Sequence, residues 1–153
     1  MKMKTALFAL FLCLCPNALF ALDTGLEMGG AKNICLVVED VGGHAHKIGF
    51  SVDFIRAKVQ SHLRKNGLQH SKDCGQDGYL YVNLQVLKDA YAIKIQFKRI
   101  VNYHLDSRVS SVLGSVWEIN GMGHHGGVGD FVVSHILDKL DIFIAAYLKA
   151  NNL

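Results

Sequence analysis

Polar and apolar residues alternate along two stretches of this chain and recur every three or four residues along two others. Those two periods predict most of its elements. Residues 33–41 (NICLVVEDV) are nearly all apolar and rich in β-branched side chains, as in a buried strand. Gly42 and Gly43 end that run and open a loop, GGHAHKIGF. Ser51 then offers a helix N-cap. Val52, Ile55, Val59 and Leu63 line one helical face behind it, with Arg56, Lys58, Gln60 and Arg64 facing out. Asn66-Gly67 is the C-terminal stop.

Residues 68–71 read as a short strand and 72–78 (KDCGQDG) as a turn. Alternation returns over 79–87, with Leu80, Val82, Leu84 and Val86 on one side, and Lys88-Asp89 makes a hairpin turn. The longest alternating run follows. Tyr91, Ile93, Ile95, Phe97, Val101, Tyr103 and Leu105 share the apolar parity, and Lys94, Gln96, Lys98, Asn102 and His104 the polar one. Arg99 breaks the pattern, which predicts a bulge or an edge position there. After a turn at 106–108, residues 109–120 form a returning strand carrying Val112, Val116 and Trp117. The glycine-dense stretch 121–129 (GMGHHGGVG) reads as a loop. Asp130 leads a long last helix with Val133, Ile136, Leu137, Leu140, Phe143, Ile144, Tyr147 and Leu148 on its apolar stripe. The expected fold is α+β: a two-layer sandwich, with a mostly antiparallel sheet of four or five strands and two amphipathic helices on one face.

The amino terminus changes where such a domain would work. Lys2 and Lys4 precede an apolar run from Ala6 to Cys15, Pro16-Asn17 break it, and Ala18 and Ala21 follow. This is the layout of a secretory signal peptide, with cleavage expected after Ala21, and the run is shorter than the ~20 residues that span a bilayer. The expected organisation is a signal over 1–21, a loose glycine-containing leader over 22–32 and one domain over 33–153. The whole chain carries 16 basic and 13 acidic residues. Losing Lys2 and Lys4 leaves fourteen against thirteen, a balance that argues against nucleic acid or an acidic membrane surface as a partner. Lys94, Lys98 and Arg99 form a small basic cluster that a solvated strand face explains. Neither Cys13 nor Cys15 has the small preceding residues of a lipoprotein signal, so no membrane anchor is expected.

With the signal removed, Cys35 and Cys74 are the remaining cysteines. In an oxidising compartment a disulfide between them is the expectation. It would stabilise the fold by roughly 4 kcal/mol on the chain-entropy account. A thiolate pair on a metal is the alternative, with no motif at that spacing to support it.

Eight histidines are the compositional oddity. His44 and His46 lie in one glycine loop, His124 and His125 in another. Imidazole suits zinc and copper, so a Zn or Cu site built from these four, with Glu39 or Asp40 nearby, is the alternative to solvated loop histidines. Residues 121–126 also match GxGxxG, but no strand follows the last helix to complete a dinucleotide fold. Gly126, Gly127 and Gly129 ahead of a helix leave open an anion-binding nest or a plain flexible turn. No GxSxG, HExxH or CxxC is present, and Ser110, Ser111 and Ser115 have no distinctive histidine partner, so no catalytic residue is expected. Tyr79, Tyr81, Tyr91, Tyr103 and Trp117 serve either as a stacking surface or simply as good strand formers.

The LVVEDV strand with its helix, the YLYVNLQVL meander, the VWEIN strand and the LDIFIAAYLKANN helix together resemble a recurring group of small exported proteobacterial proteins. Their order is also similar to small periplasmic modules of envelope-assembly machines, such as the TolB amino-terminal domain and the LptE or LpoB lipoproteins. This chain lacks the lipoprotein cysteine context of the latter. The resemblance implies a non-enzymatic binding or accessory role, with an envelope protein as partner and no cofactor.

Overall fold

The computed structural model describes residues 28–31, 34–71, 74, 78–105 and 108–153. The expected signal peptide, most of the expected leader, residue 33, most of the 72–78 turn, and Asp106 and Ser107 lie outside the described residues. Among the described residues, five strands and two long helices form, in the order β1 (Ile34–Val38), α1 (Gly42–Ala45), α2 (Val52–Lys65), β2 (His70–Ser71), β3 (Tyr79–Val86), β4 (Ala90–Leu105), β5 (Arg108–His124) and α3 (Gly129–Asn151). The fold is α+β.

Where the sequence carries local signals, the elements follow them. Ser51 caps α2, its hydroxyl accepting from the Phe54 N–H at 3.1 Å. Ile55, Val59 and Leu63 are buried along the inner face of α2, and Gly67 at φ 79° follows its end. Leu80, Val82, Leu84 and Val86 of β3 face the core opposite Phe97, Ile95, Ile93 and Tyr91 of β4. In α3, Val132, Ile136, Leu140, Phe143, Ile144 and Tyr147 are buried. Phe97, Trp117, Phe143 and Tyr147 stack into one aromatic cluster, with Phe143 5.9 Å from Phe97 and 5.3 Å from Trp117. Helix α2 packs on β1, β2 and α3, and α3 on β4 and β5. His62 of α2 and Asp141 of α3 meet at 2.6 Å. Among the described residues, no helix is long and apolar enough to cross a membrane.

The sheet order is β2-β1-β3-β4-β5. It is mixed, which corrects the expectation of a mostly antiparallel sheet. β1 runs parallel to both β2 and β3, whereas β3–β4 and β4–β5 are antiparallel. Hairpin turns announce antiparallel neighbours locally. The placement of β1 between β2 and β3 depends on the α2 crossover and leaves no local mark. Cys35 and Cys74 form a disulfide, Cα to Cα 5.0 Å, that ties β1 to the chain just after the two-residue β2.

Three further expectations need correction. Residues 42–48 are not an open loop: one α-helical turn passes into a 3₁₀ turn over His46–Ile48, and Ala45 is buried. The leader is not loose throughout, because Met28 and Ala31 are buried. Its backbone is held there by four contacts. Arg99 donates to Gly29 O at 2.9 Å, Asn151 Oδ1 accepts from Gly30 N at 2.9 Å, Asn151 Nδ2 donates to Met28 O, and the Tyr147 hydroxyl donates to Ala31 O. Residues 121–124 are strand rather than loop, paired with residues 90–93 of β4. The glycines there serve close approach: a Cβ on Gly123 would lie 2.7 Å from the Tyr91 hydroxyl, and one on Gly121 3.1 Å from the His135 ring.

The bulge expected near Arg99 exists, one strand over. Phe97 pairs with Trp117 but Lys98 with Ser115, leaving Val116 as the extra residue. Beyond it, β4 and β5 run on as a two-stranded arm. Sixteen residues of β4 extend about 54 Å, whereas the 23 residues of α3 reach about 35 Å, so the sheet outlasts its helical cover. Val101 and Tyr103, expected in the core from their parity, are therefore exposed, as is Ile100 on the opposite parity.

Candidate functional site: the open sheet face and the β5 edge

The side of β3 and β4 opposite the core is polar and organised. Glu39, just past β1, accepts from the Tyr81 hydroxyl and from Asn83 Nδ2. Lys98 Nζ sits 4.2 Å above the Tyr81 ring. Glu118 of β5 takes hydrogen bonds from Gln96 and, at 2.7 Å, from Asn120, with Lys94 Nζ at 3.9 Å. These donors, led by Asn120 and joined by Lys94 and Lys98, hold the Glu118 carboxyl below its ordinary range even though partial burial opposes them. The result is a flat, mixed-charge ladder across three strands.

The hydrogen bond to Glu39 pushes the Tyr81 hydroxyl up to about 12, with burial and the negative charge of Glu39 adding to it. A group raised on folding stabilises the fold below its unfolded value. That contribution is complete below pH 10 and is lost as the pH rises toward about 12. Glu39→Gln removes the charged acceptor, so in a phenolate absorbance titration the Tyr81 transition should move down toward 10. An unshifted transition would show that Glu39 is not the cause.

β5 is the outer strand of the sheet along all of its 17 residues. From Val109 to Trp117 it carries neither charge nor proline. Val109, Val112 and Leu113 are 63 %, 51 % and 50 % exposed, and Met122 is more so. Edge strands in natural proteins are blunted by lysine, proline or shortness. The opposite edge, β2, is two residues long and sits beside the disulfide. β5 has its single bulge.

At the end of β5 opposite the arm, Tyr91, Gly123, His124, Ser134, His135 and Asp138 border a cavity of about 290 Å³. The Tyr91 hydroxyl and His135 Nδ1 are 2.7 Å apart, and burial pushes the Tyr91 phenol up, so it stays a neutral hydrogen-bonding group there. Sequence reading missed this pair; two glycines inside a strand were the available signal that something packs against its backbone.

The four histidines singled out in the sequence have separate surroundings. His44 and His46 are exposed in the turn after β1. His124 is exposed at the end of β5, with Nδ1 3.2 Å from Asp89 O. His125 is buried and both its ring nitrogens are engaged: Nδ1 accepts from Gly127 N at 3.0 Å, which leaves Nε2 to donate to Leu87 O at 3.1 Å. Among the described residues, no group of three or more His, Cys, Asp or Glu side chains is placed to hold a metal ion. Glu39 is taken up by Tyr81 and Asn83, and Asp40 is exposed. In the glycine turn, Gly126 and Gly127 adopt positive φ. Gly127 N and Val128 N both bond to His125, which occupies two of the donors an anion would need. Ser111 donates to Asn102 and Ser115 to Trp117 O.

No family model matches the chain, and no curated protein or solved structure is significantly similar to it.

Proposed function

We propose that this chain is an exported, periplasmic accessory protein of the cell envelope that docks a partner protein onto its sheet. In this reading the signal over residues 1–21 is removed near Ala21, and the two long helices cover one face of the sheet, leaving the polar face and the β5 edge for the partner. The observation that carries it is the long β5 edge, uncharged from Val109 to Trp117 and unpaired among the described residues, which supplies a row of backbone donors and acceptors for strand addition. The disulfide fits an oxidising compartment. The neighbouring polar ladder offers side-chain contacts that select a partner once the backbone has paired. The resemblance to envelope-assembly modules points the same way, and so does the near-balance of charge, which gives nucleic acid no purchase.

Photo-crosslinking in cells tests it. With a photoreactive residue at Val112 or Gln96, irradiation should give a discrete adduct of one mass, lost when Leu113→Lys is added. The same residue at Arg64, exposed on α2, should give none. Equal labelling from all three positions, or none from Val112 and Gln96, overturns the reading.

A further inference from the structure

We propose that the occupant of the β5 edge is a second copy of this chain, paired antiparallel through Arg108–Gly114 about a two-fold axis normal to the sheet. This rests on the docking reading and names its partner.

Two observations support it. First, the regular part of β5 is self-complementary. Side chains directly opposite across a two-fold pairing must lie on the same sheet face, which restricts the register to those centred on a residue. Centring on Ser111 keeps the pairing clear of the bulge at Val116. It sets Val109 against Leu113 of the second copy twice over, Ser110 against Val112 twice, and Ser111 against itself. Arg108 falls opposite Gly114, so no like charges meet. Second, the devices that stop an edge from pairing with its own kind, a lysine or a proline within the strand, are absent from Val109 to Trp117.

Size sets the expected strength. Seven paired residues make an edge about 24 Å long, and a bare two-stranded arm is roughly 10 Å thick, giving on the order of 250 Å² per copy. That is well below the ~800 Å² per partner of a standard stable complex, so the dimer should be weak and reversible. Because the two-fold axis preserves the faces, pairing makes one continuous ten-stranded sheet and doubles the polar ladder.

Sedimentation velocity of the oxidised, purified domain, run across a concentration series from roughly 10 µM to 1 mM, where weak association is populated, is the test. The mass should rise from one chain to two with concentration. Leu113→Lys should weaken association at least tenfold while leaving the melting temperature near wild type, since the side chain is half exposed. Ser111→Cys should give a disulfide-linked dimer under oxidation, whereas Met122→Cys, far from the axis, should not. A monomer at every concentration, or a dimer indifferent to Leu113→Lys with no Ser111→Cys cross-link, overturns the proposal. A monomeric domain that still gives a heavier single adduct from Val112 in cells would leave docking intact and remove only the second copy.

Discussion

Replacing Phe143 with alanine should destabilise the domain by about 4 kcal/mol and lower its melting temperature by about 15 °C, the largest effect expected of any single substitution. Phe143 is fully buried and touches Phe97 of β4, Trp117 of β5 and Tyr147 of its own helix. Alanine leaves a hole where three rings met, and the neighbours cannot collapse into it. Each is fixed elsewhere: Phe97 and Trp117 by sheet pairing to each other, Tyr147 by its hydrogen bond to Ala31 O. The lost contacts also lie at the root of the arm, one residue from the bulge. Hydrogen exchange should therefore report faster opening of residues 98–105 and 108–115 than of β1 and β3. Calorimetry on the variant checks the magnitude, and a shift of under about 1 kcal/mol would mean the cluster is not the centre of the core.

Opening the Cys35–Cys74 bridge, by reductant or by the double change Cys35→Ala and Cys74→Ala, should cost roughly 4 kcal/mol, comparable to the loss of Phe143. The residues lie 39 positions apart, and the loop they close holds α1, α2 and β2. β2 has two residues and a single parallel neighbour, too little pairing to persist unaided. The bridge holds the chain beside β1 where hydrogen bonds are few. Since native domains have only about 5–15 kcal/mol in hand, the reduced protein should melt well below the oxidised one, with exchange protection failing first in β2. Oxidised and reduced forms melting together would contradict this. A domain so dependent on one bridge is suited to an oxidising compartment. The two edges of the sheet thus differ in kind: one short and stapled, the other long and bare.

The elements legible in the sequence are those whose cause is local. Ser51, the three- and four-residue spacing behind it and Asn66-Gly67 mark α2 because capping and amphipathicity act within one helix. The parity of Leu80 to Val86 marks β3 because a strand has only two faces. The pairing of Cys35 with Cys74 was legible from cysteine count and the expected compartment, without knowledge of geometry. What the sequence could not decide involves partners distant along the chain. The parallel neighbours of β1 follow from a crossover. Gly121 and Gly123 read as loop because the rings that need their missing side chains, His135 and Tyr91, lie on other elements. Val101 and Tyr103 have the parity of core residues and are exposed, because whether an apolar face is covered depends on how far the opposing helix reaches. The bare arm and edge, on which the proposed function depends, therefore emerge only when strand length is set against helix length in three dimensions.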